Sequence, residues 1–488
     1  MRSVESAIYF PPFNSREMKF DWSGKELRIR ILTPLKKDRT YILTIGAVAQ
    51  DNRGNNLGKA LNLVFATGSH IDTGSVSGRI YSSKARAYTV AAYPVAEGMD
   101  TLRPSIDLAK YVTQSDDSGS FDMSGLAVGK YRLICFDDQM KNFTYAPQMD
   151  GYASATHDVD ITDSDQSVGD VNFMPGTEDT SRPRLYNAAV ARDGSVLLKF
   201  SEPVDSASVS PSCFLVSDSV TSENLPVDYA VRREDNRAQV VLALTKPVTL
   251  KHTYLVTAKE NVTDLQSNGM SPEGNTAAMK ADTSGPELSP YYFNFSDSLQ
   301  NVTTYDSLFG QFIYPPIFHA TSGAVYVSLR DSSGTVVPEG ILRESATVFR
   351  VSLEHLQSLK WYAIEFKYPV AGLQRDSIVS RHLRMVDFSS LGSIEGESAP
   401  SSKKIIVVAV KEDGKRFFTF AGPDGKFQLD GILPGTYTLS AYAQHDMSLN
   451  YFSGKSYPLK FAEPFGFFTD QVRVRARWTS EGVRIRLL

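Results

Sequence analysis

Apolar and polar residues alternate along this chain in short runs, and they rarely recur at helical spacing. Tyr131, Leu133 and Cys135 take every second position of one run, as do Tyr437, Leu439 and Ala441 of another. Val159 and Ile161 alternate with Asp158 and Asp160, and Val483, Ile485 and Leu487 alternate with Arg484 and Arg486. A period of two turns one side of each strand toward a core and the other toward water. Clusters of Gly, Asp, Asn, Ser and Pro end the runs, as turn chemistry requires. The pattern predicts an all-β chain. Thr101–Val112 is the best helix candidate, inside an insertion between strands.

Two families of internal repeats organise these strands. One pairs Gly119-Ser-Phe121-Asp-Met-Ser-Gly125-Leu126-Ala-Val-Gly129-Lys-Tyr131-Arg-Leu133 with Gly425-Lys-Phe427-Gln-Leu-Asp-Gly431-Ile432-Leu-Pro-Gly435-Thr-Tyr437-Thr-Leu439. Each copy follows a Gly-Ser-[Val/Ile]-x-Gly segment, at Gly74–Gly78 and Gly392–Gly396. The spacing predicts a tight turn, a strand that buries Phe121 or Phe427, a second turn, and an alternating strand opened by Tyr131 or Tyr437. The other family sets Tyr41…Asp51…Asn55 against Tyr254…Asp264…Asn268, a strand that runs into an Asx-type turn. Upstream of Tyr254, Phe200-Ser-Glu-Pro-Val-Asp205 reads as a strand stopped by proline. Leu359-Lys-Trp361-Tyr362 matches the approach to Tyr41 and Tyr254 without the Asp-x-x-x-Asn turn, and reads as a divergent third copy.

Through Phe200-Ser-Glu-Pro-Val-Asp205, Tyr254…Asp264…Asn268 and Tyr41…Asp51…Gly54-Asn55, the first kind of unit resembles the SbsA-type bacterial Ig-like domain. Through Gly-x-Phe-x-x-x-Gly-[Leu/Ile]-x-x-Gly-x-Tyr-x-Leu, the second resembles the carboxypeptidase-regulatory-like, or prealbumin-like, sandwich. The expected architecture is a tandem array of Ig-like and prealbumin-like β-sandwiches. An incomplete Ig-like unit, lacking its N-terminal strands, is expected at 1–69 and a prealbumin-like unit with an insertion at 70–176. An Ig-like unit follows at 182–283, a divergent one at 286–389, and a second prealbumin-like unit at 390–488. The segments 177–183, 282–286 and 389–392 read as free linkers that protease would cut first.

Less chain precedes Tyr41 than separates Arg182 from Tyr254, by roughly the strands around Phe200-Ser-Glu-Pro. That shortfall carries the expectation of a start further upstream, with an export signal and a lipid anchor. The resemblance implies an extracytoplasmic protein of the bacterial envelope, associated with the outer membrane, periplasm or cell surface. It implies no substrate, because neither domain type has one fixed ligand. Envelope proteins or glycans are the partners it suggests.

Composition narrows this picture modestly. A net charge of −4 gives no reason to expect nucleic acid, and no apolar run is long enough for a membrane helix. Cys135 and Cys213 fall in different units and read as small core residues rather than a disulfide. The seven histidines, His70, His157, His252, His319, His355, His382 and His445, show no zinc-ligand spacing. No nucleophile elbow, phosphate loop or Cys-x-x-Cys occurs. The chain therefore reads as non-enzymatic and without a cofactor, a spacer or scaffold.

Two ligand sites are candidates. Asp158, Asp160, Asp163, Asp165 and Asp170 offer hard oxygens that suit calcium, or simply line a solvated strand and turn. Arg473, Arg475 and Arg477 on one strand, with Arg484 and Arg486 on the next, would face the same way if the strands pair. Such a face suits polyanions, or serves as a charged edge that resists aggregation. The other functions kept open are a carbohydrate- or polyanion-binding module and the non-catalytic stalk of a secreted enzyme system. Tyr291-Tyr292-Phe293-Asn-Phe295 and Phe465-Gly-Phe467-Phe468 could stack on sugars, but read more readily as core or domain–domain packing.

Overall fold

The computed structural model describes residues 2–13, 15–84, 86–95, 102–140, 142–147, 149–282, 284–312, 326–369, 376–445 and 449–488. It is all-β, with pairs of sheets stacked in succession along the chain; among the described residues the one α-helix is Arg2–Ser6. Among the described residues no helix is long and apolar enough to cross a membrane.

The third unit holds two four-stranded sheets. One runs Leu185–Val190, Val196–Phe200, Gln239–Leu244, Val227–Arg232; the other Asn224–Leu225, Phe214–Asp218, Thr253–Ala258, Thr276–Lys280. Alternation fills the space between them with Val196, Leu198, Phe200, Val240, Leu242, Tyr254 and Val256, all buried. The first unit keeps a reduced version: Ile8–Tyr9, Thr40–Ile45 and Leu61–Ala66 in one sheet, and the hairpin Met18–Ser23 with Glu26–Ile31 in the other. In the fourth unit, Trp361–Pro369 and Asp376–Met385 form the centre of one sheet, facing Tyr291–Phe293, Phe309–Phe312, Val348–Val351 and Ile341–Arg343.

One hydrogen bond ties these three units together. The hydroxyls of Tyr41, Tyr254 and Tyr362 accept the backbone N–H of Lys36, Thr249 and Gln357, each at 2.8 Å and each five residues upstream. A tyrosine opening a strand thus pins the loop that leads into it and satisfies its own buried oxygen. The Asp–Asn turns also coincide. Asp51 Oδ1 accepts from the amides of Arg53 and Asn55, and Asp264 Oδ1 from those of Gln266 and Asn268. In each turn the Asn side chain donates to the other carboxylate oxygen.

The second and fifth units share another frame. Gly74–Ile80 pairs antiparallel with Ser120–Leu126 and parallel with Ser167–Phe173; Gly392–Ser398 does the same with Lys426–Ile432 and Thr479–Ile485. Gly78 lies opposite Phe121, and Gly396 opposite Phe427. A Cβ on Gly396 would stand 2.5 Å from the Phe427 ring and from the Val483 carbonyl, so the ring and the parallel neighbour both need the bare glycine. Tyr131 and Tyr437 are buried, and each donates its hydroxyl proton to the carbonyl four residues upstream, Ala127 or Leu433.

Three expectations need correction. Leu102–Lys110 is irregular, and Tyr111–Gln114 is a strand paired with Thr89–Pro94; residue 101 lies outside the described residues. Asp107 accepts the Arg103 amide in a turn, and Tyr111 and Val112 enter cores on opposite sides of their sheet, which a helix could not do. The linkers are tied rather than free. Glu178 accepts from Tyr145 and Ser456, the Arg192 amide donates to Pro286, and Arg477 donates to Ser389.

The units are also not independent beads. The loop 449–464 of the fifth lies on the second: the Ser154 amide donates to Ser453, the Ala462 amide to Ser154 Oγ, and Arg103 covers the Tyr457 ring. Beside it, Tyr81 packs edge-on against Phe465. We call this contact the clasp. Neighbouring units also touch, through Thr44 to Val112, Gln311 to Arg232, and Tyr305 against Phe417.

Candidate functional site

The two proposed ligand sites do not assemble as the sequence suggests. Asp158 is held by Arg132 in a two-pronged pair at 2.8 and 2.9 Å, and Asp160 faces Lys130 at 3.8 Å. Asp163 and Asp165 lie in a turn that Thr162 and Asp165 close, and Asp170 occupies a left-handed position in another strand. The five do not converge among the described residues. Strand alternation sends Asp158 and Asp160 outward, where the basic residues of the neighbouring strand neutralise them.

The arginines divide between two sheets. Val472–Val474, carrying Arg473, pairs with Gly435–Ala443, whereas Thr479–Ile485, carrying Arg484, crosses to pair in parallel with Gly392–Ser398. The chain turns between them at Arg477, whose φ is 61°, and its guanidinium is spent on Ser389. Arg475 lies in that connection, and Arg486 follows the last strand. The common face of five guanidiniums expected from a paired hairpin is therefore absent. The aromatic runs pack largely against other rings, Phe293 against Phe349 and Phe366 and Phe465 in the clasp, while Phe467 stays exposed. Cys135 and Cys213 are buried and unpaired, and burial pushes the Cys135 thiol well up.

The structure instead gathers a site that the sequence pattern did not single out. Asp179 from the segment 177–183, Glu202 from Phe200-Ser-Glu-Pro and Asp264 from the Asp–Asn turn bring carboxylate oxygens within 4.8 Å of one another. The strand ends at Phe200, two residues before Glu202, and an isolated bridge from Val204 to Asp264 brings this segment to the corner where Asp264 caps its own turn. Asn268 holds the linker in place by donating to the Asp179 carbonyl at 3.0 Å. Desolvation, with the charges of Asp179 and Asp264, raises Glu202 from 4.5 to about 7. Three oxygens at this spacing could hold a hard cation, or share a proton in its absence. Glu202 and Asp264 lie in two motifs of the Ig-like repeat and Asp179 in the segment before it, but nothing in the sequence put the three side by side.

A pH effect follows. A carboxyl whose folded pKa is raised binds a proton in the folded state that the unfolded chain has released. Between about 4.5 and 7 the third unit therefore loses stability as pH rises. In chelator-containing buffer, it should melt higher at pH 5 than at pH 8, and Glu202→Gln should remove most of that difference. An unchanged pH response in the variant would show that the cluster does not titrate as a unit.

Some open clefts lie at unit boundaries, and one lies within the fifth unit, between Glu395–Glu397, Lys426–Gln428 and Glu481–Arg484. The one between the third and fourth units, about 570 Å³, is lined by Arg232, Glu234, Arg237, Glu344 and Arg350, charges that pair with one another.

Residues 2–67 and 177–279 match the family of bacterial Ig-like domains. These are the first and third units, the two that share the tyrosine bond and the Asp–Asn turn. No curated protein matches the chain. Among solved structures, the N-terminal part of the bacterial S-layer protein SbsC is 13% identical, with 42% of this chain and 44% of that chain covered and a TM-score of 0.20. A longer structure of the same S-layer protein is 13% identical, with 54% and 40% covered and a TM-score of 0.22. The major pilin subunit BcpA of Bacillus cereus is 10% identical, with 85% and 99% covered and a TM-score of 0.15. The chain thus spans less than half the length of these S-layer structures.

Proposed function

We propose that this protein is a non-enzymatic scaffold of the bacterial envelope, working outside the cytoplasm and binding other envelope proteins. The observation that carries the reading is the way the sandwiches are spent on one another. Their interiors are filled by apolar side chains, and adjoining units are joined by buried contacts. The clasp then links the second to the fifth, across the two units between them. Such an arrangement favours a scaffold of fixed geometry over a string of flexible spacers. The match to bacterial Ig-like domains supports the location.

Fractionation of the native host, with protease applied to intact and then to permeabilised cells, tests this. The protein should follow the envelope fraction and resist protease until the barrier that encloses it is opened, or be cut at once if it is surface-displayed. Recovery in the cytosolic supernatant would overturn the proposal.

A further inference from the structure

The fifth unit holds a tryptophan that its own core does not use. Trp22 is half-buried and donates its indole N–H to Glu5, and Trp361 is 38% exposed, whereas Trp478 is 68% exposed. Trp478 takes no part in the apolar core of its unit. Among the described residues its indole N–H has no acceptor and its ring stacks on no other. The backbone beneath it is nonetheless fixed. The Trp478 amide donates to the Arg475 carbonyl, closing a turn in which Arg477 takes a φ of 61°, and the Trp478 carbonyl accepts the Ser393 amide. Gly392 makes room for this turn: a Cβ there would stand 2.3 Å from the Arg475 carbonyl and 3.1 Å from that of Trp478. A left-handed residue other than glycine persists only where its surroundings impose it. The indole is thus presented to solvent from a rigid base.

It borders a cleft of about 330 Å³ where the fourth unit meets the fifth. Phe388, 38% exposed, supplies a second ring, and Thr304, Thr479, Asp430 and Arg477 supply polar groups. The junction is held from several sides. Tyr305 packs edge-on against Phe417, Lys415 pairs with Asp306 at 2.9 Å, and Arg477 donates to Ser389 through Nε and Nη2. Asp430 accepts from Gln428 at Oδ1. Asp430 Oδ2 and Arg477 Nη1 have no partner among the described residues.

This chemistry selects a ligand. The lining carries one carboxylate and one guanidinium, so the attraction of a polyanion to Arg477 is opposed by Asp430. A protein's anchoring side chain needs an apolar surround that excludes water. Here the groups around the two rings are, apart from Leu391, hydroxyl-bearing, charged or glycine. A sugar suits both features. The C–H face of a pyranose lies well on the negative face of an indole. Its hydroxyls donate to a carboxylate and accept from a guanidinium or a threonine hydroxyl. We propose that this cleft binds an uncharged glycan, with Trp478 as the stacking platform and with Asp430 and Arg477 bonding the sugar hydroxyls.

Calorimetric titration of the full chain with cellohexaose, maltohexaose and the N-acetylglucosamine hexamer tests this. At least one should bind with a Kd of roughly 0.1–1 mM, as suits a contact made by one platform and a few polar groups. Trp478→Ala should weaken that binding at least about tenfold and Asp430→Asn about threefold, while Trp478→Phe, which keeps a ring, should weaken it less than the alanine variant does. Trp361→Ala should leave it unchanged. Because Trp478 lies outside the core, Trp478→Ala should melt at the temperature of the unaltered chain, which separates lost binding from lost fold. No binding of any of the three sugars at millimolar concentration, or binding that Trp478→Ala leaves intact, would overturn the proposal. So would heparin, or a protein from the envelope fraction, binding through Trp478 in place of the sugars.

Discussion

Tyr437→Ala is expected to unfold the fifth unit while leaving the third folded. The ring is 0% exposed, meets Phe417 edge-on at 5.8 Å, and its hydroxyl holds the Leu433 carbonyl across the turn that Gly435 opens. Truncating a buried aromatic of this kind costs about 3–5 kcal/mol, a large share of a domain's stability. Tyr437→Phe keeps the ring and loses the hydrogen bond, so it should cost only about 1 kcal/mol. Hydrogen exchange read by mass spectrometry separates the outcomes. Peptides from 390–488 should lose protection in the alanine variant, and those from 182–283 should keep it. Loss of protection throughout the chain would mean that the units fold as one cooperative body. Because the fifth unit carries the clasp loop, the second unit should also show faster exchange at Gly151–Ser154, the strand under that loop.

The second large effect is expected at the clasp. Gly454 has a φ of 94°, and a Cβ there would stand 2.3 Å from Ser154 Oγ and 2.8 Å from the Lys460 carbonyl. Gly454→Glu should therefore open the contact without touching the core of either unit. Losing two hydrogen bonds worth about 1 kcal/mol each raises the open population enough for protease to cut 449–464 more than about tenfold faster. Small-angle scattering should show a larger maximum dimension, since the second and fifth units are then joined only through the chain between them. Unchanged scattering with unchanged cleavage would mean that the clasp contributes nothing to holding the array together. The same variant separates a scaffold from a flexible spacer, since a spacer would function equally well with the contact open.

The amino-acid sequence determined the local frame. The tyrosine that opens a strand, the Asp–Asn turn and the Gly-x-Phe…Gly-x-Tyr hairpins are each written within a few dozen consecutive residues. Their geometry follows from φ restrictions and short-range hydrogen bonds, so Tyr131 with Tyr437, and Tyr41 with Tyr254, were recognisable as pairs from spacing alone. Even the divergent copy at Tyr362, which lacks the turn, kept the approach that places a backbone N–H on its hydroxyl.

Tertiary structure decided what depends on which strands become neighbours. Alternation made Val472–Val474 and Thr479–Ile485 strands, but it could not say that the second crosses to the other sheet and pairs in parallel with Gly392–Ser398. That crossing divides the arginines. In the same way, Asp179, Glu202 and Asp264 come from three separated segments, and only the packed corner of the third unit brings them together. The clasp joins residues some three hundred positions apart. Parallel pairing, sheet crossing and unit-to-unit contact are paid for by long loop closures and rewarded only once both surfaces exist, so no local pattern in the chain encodes them.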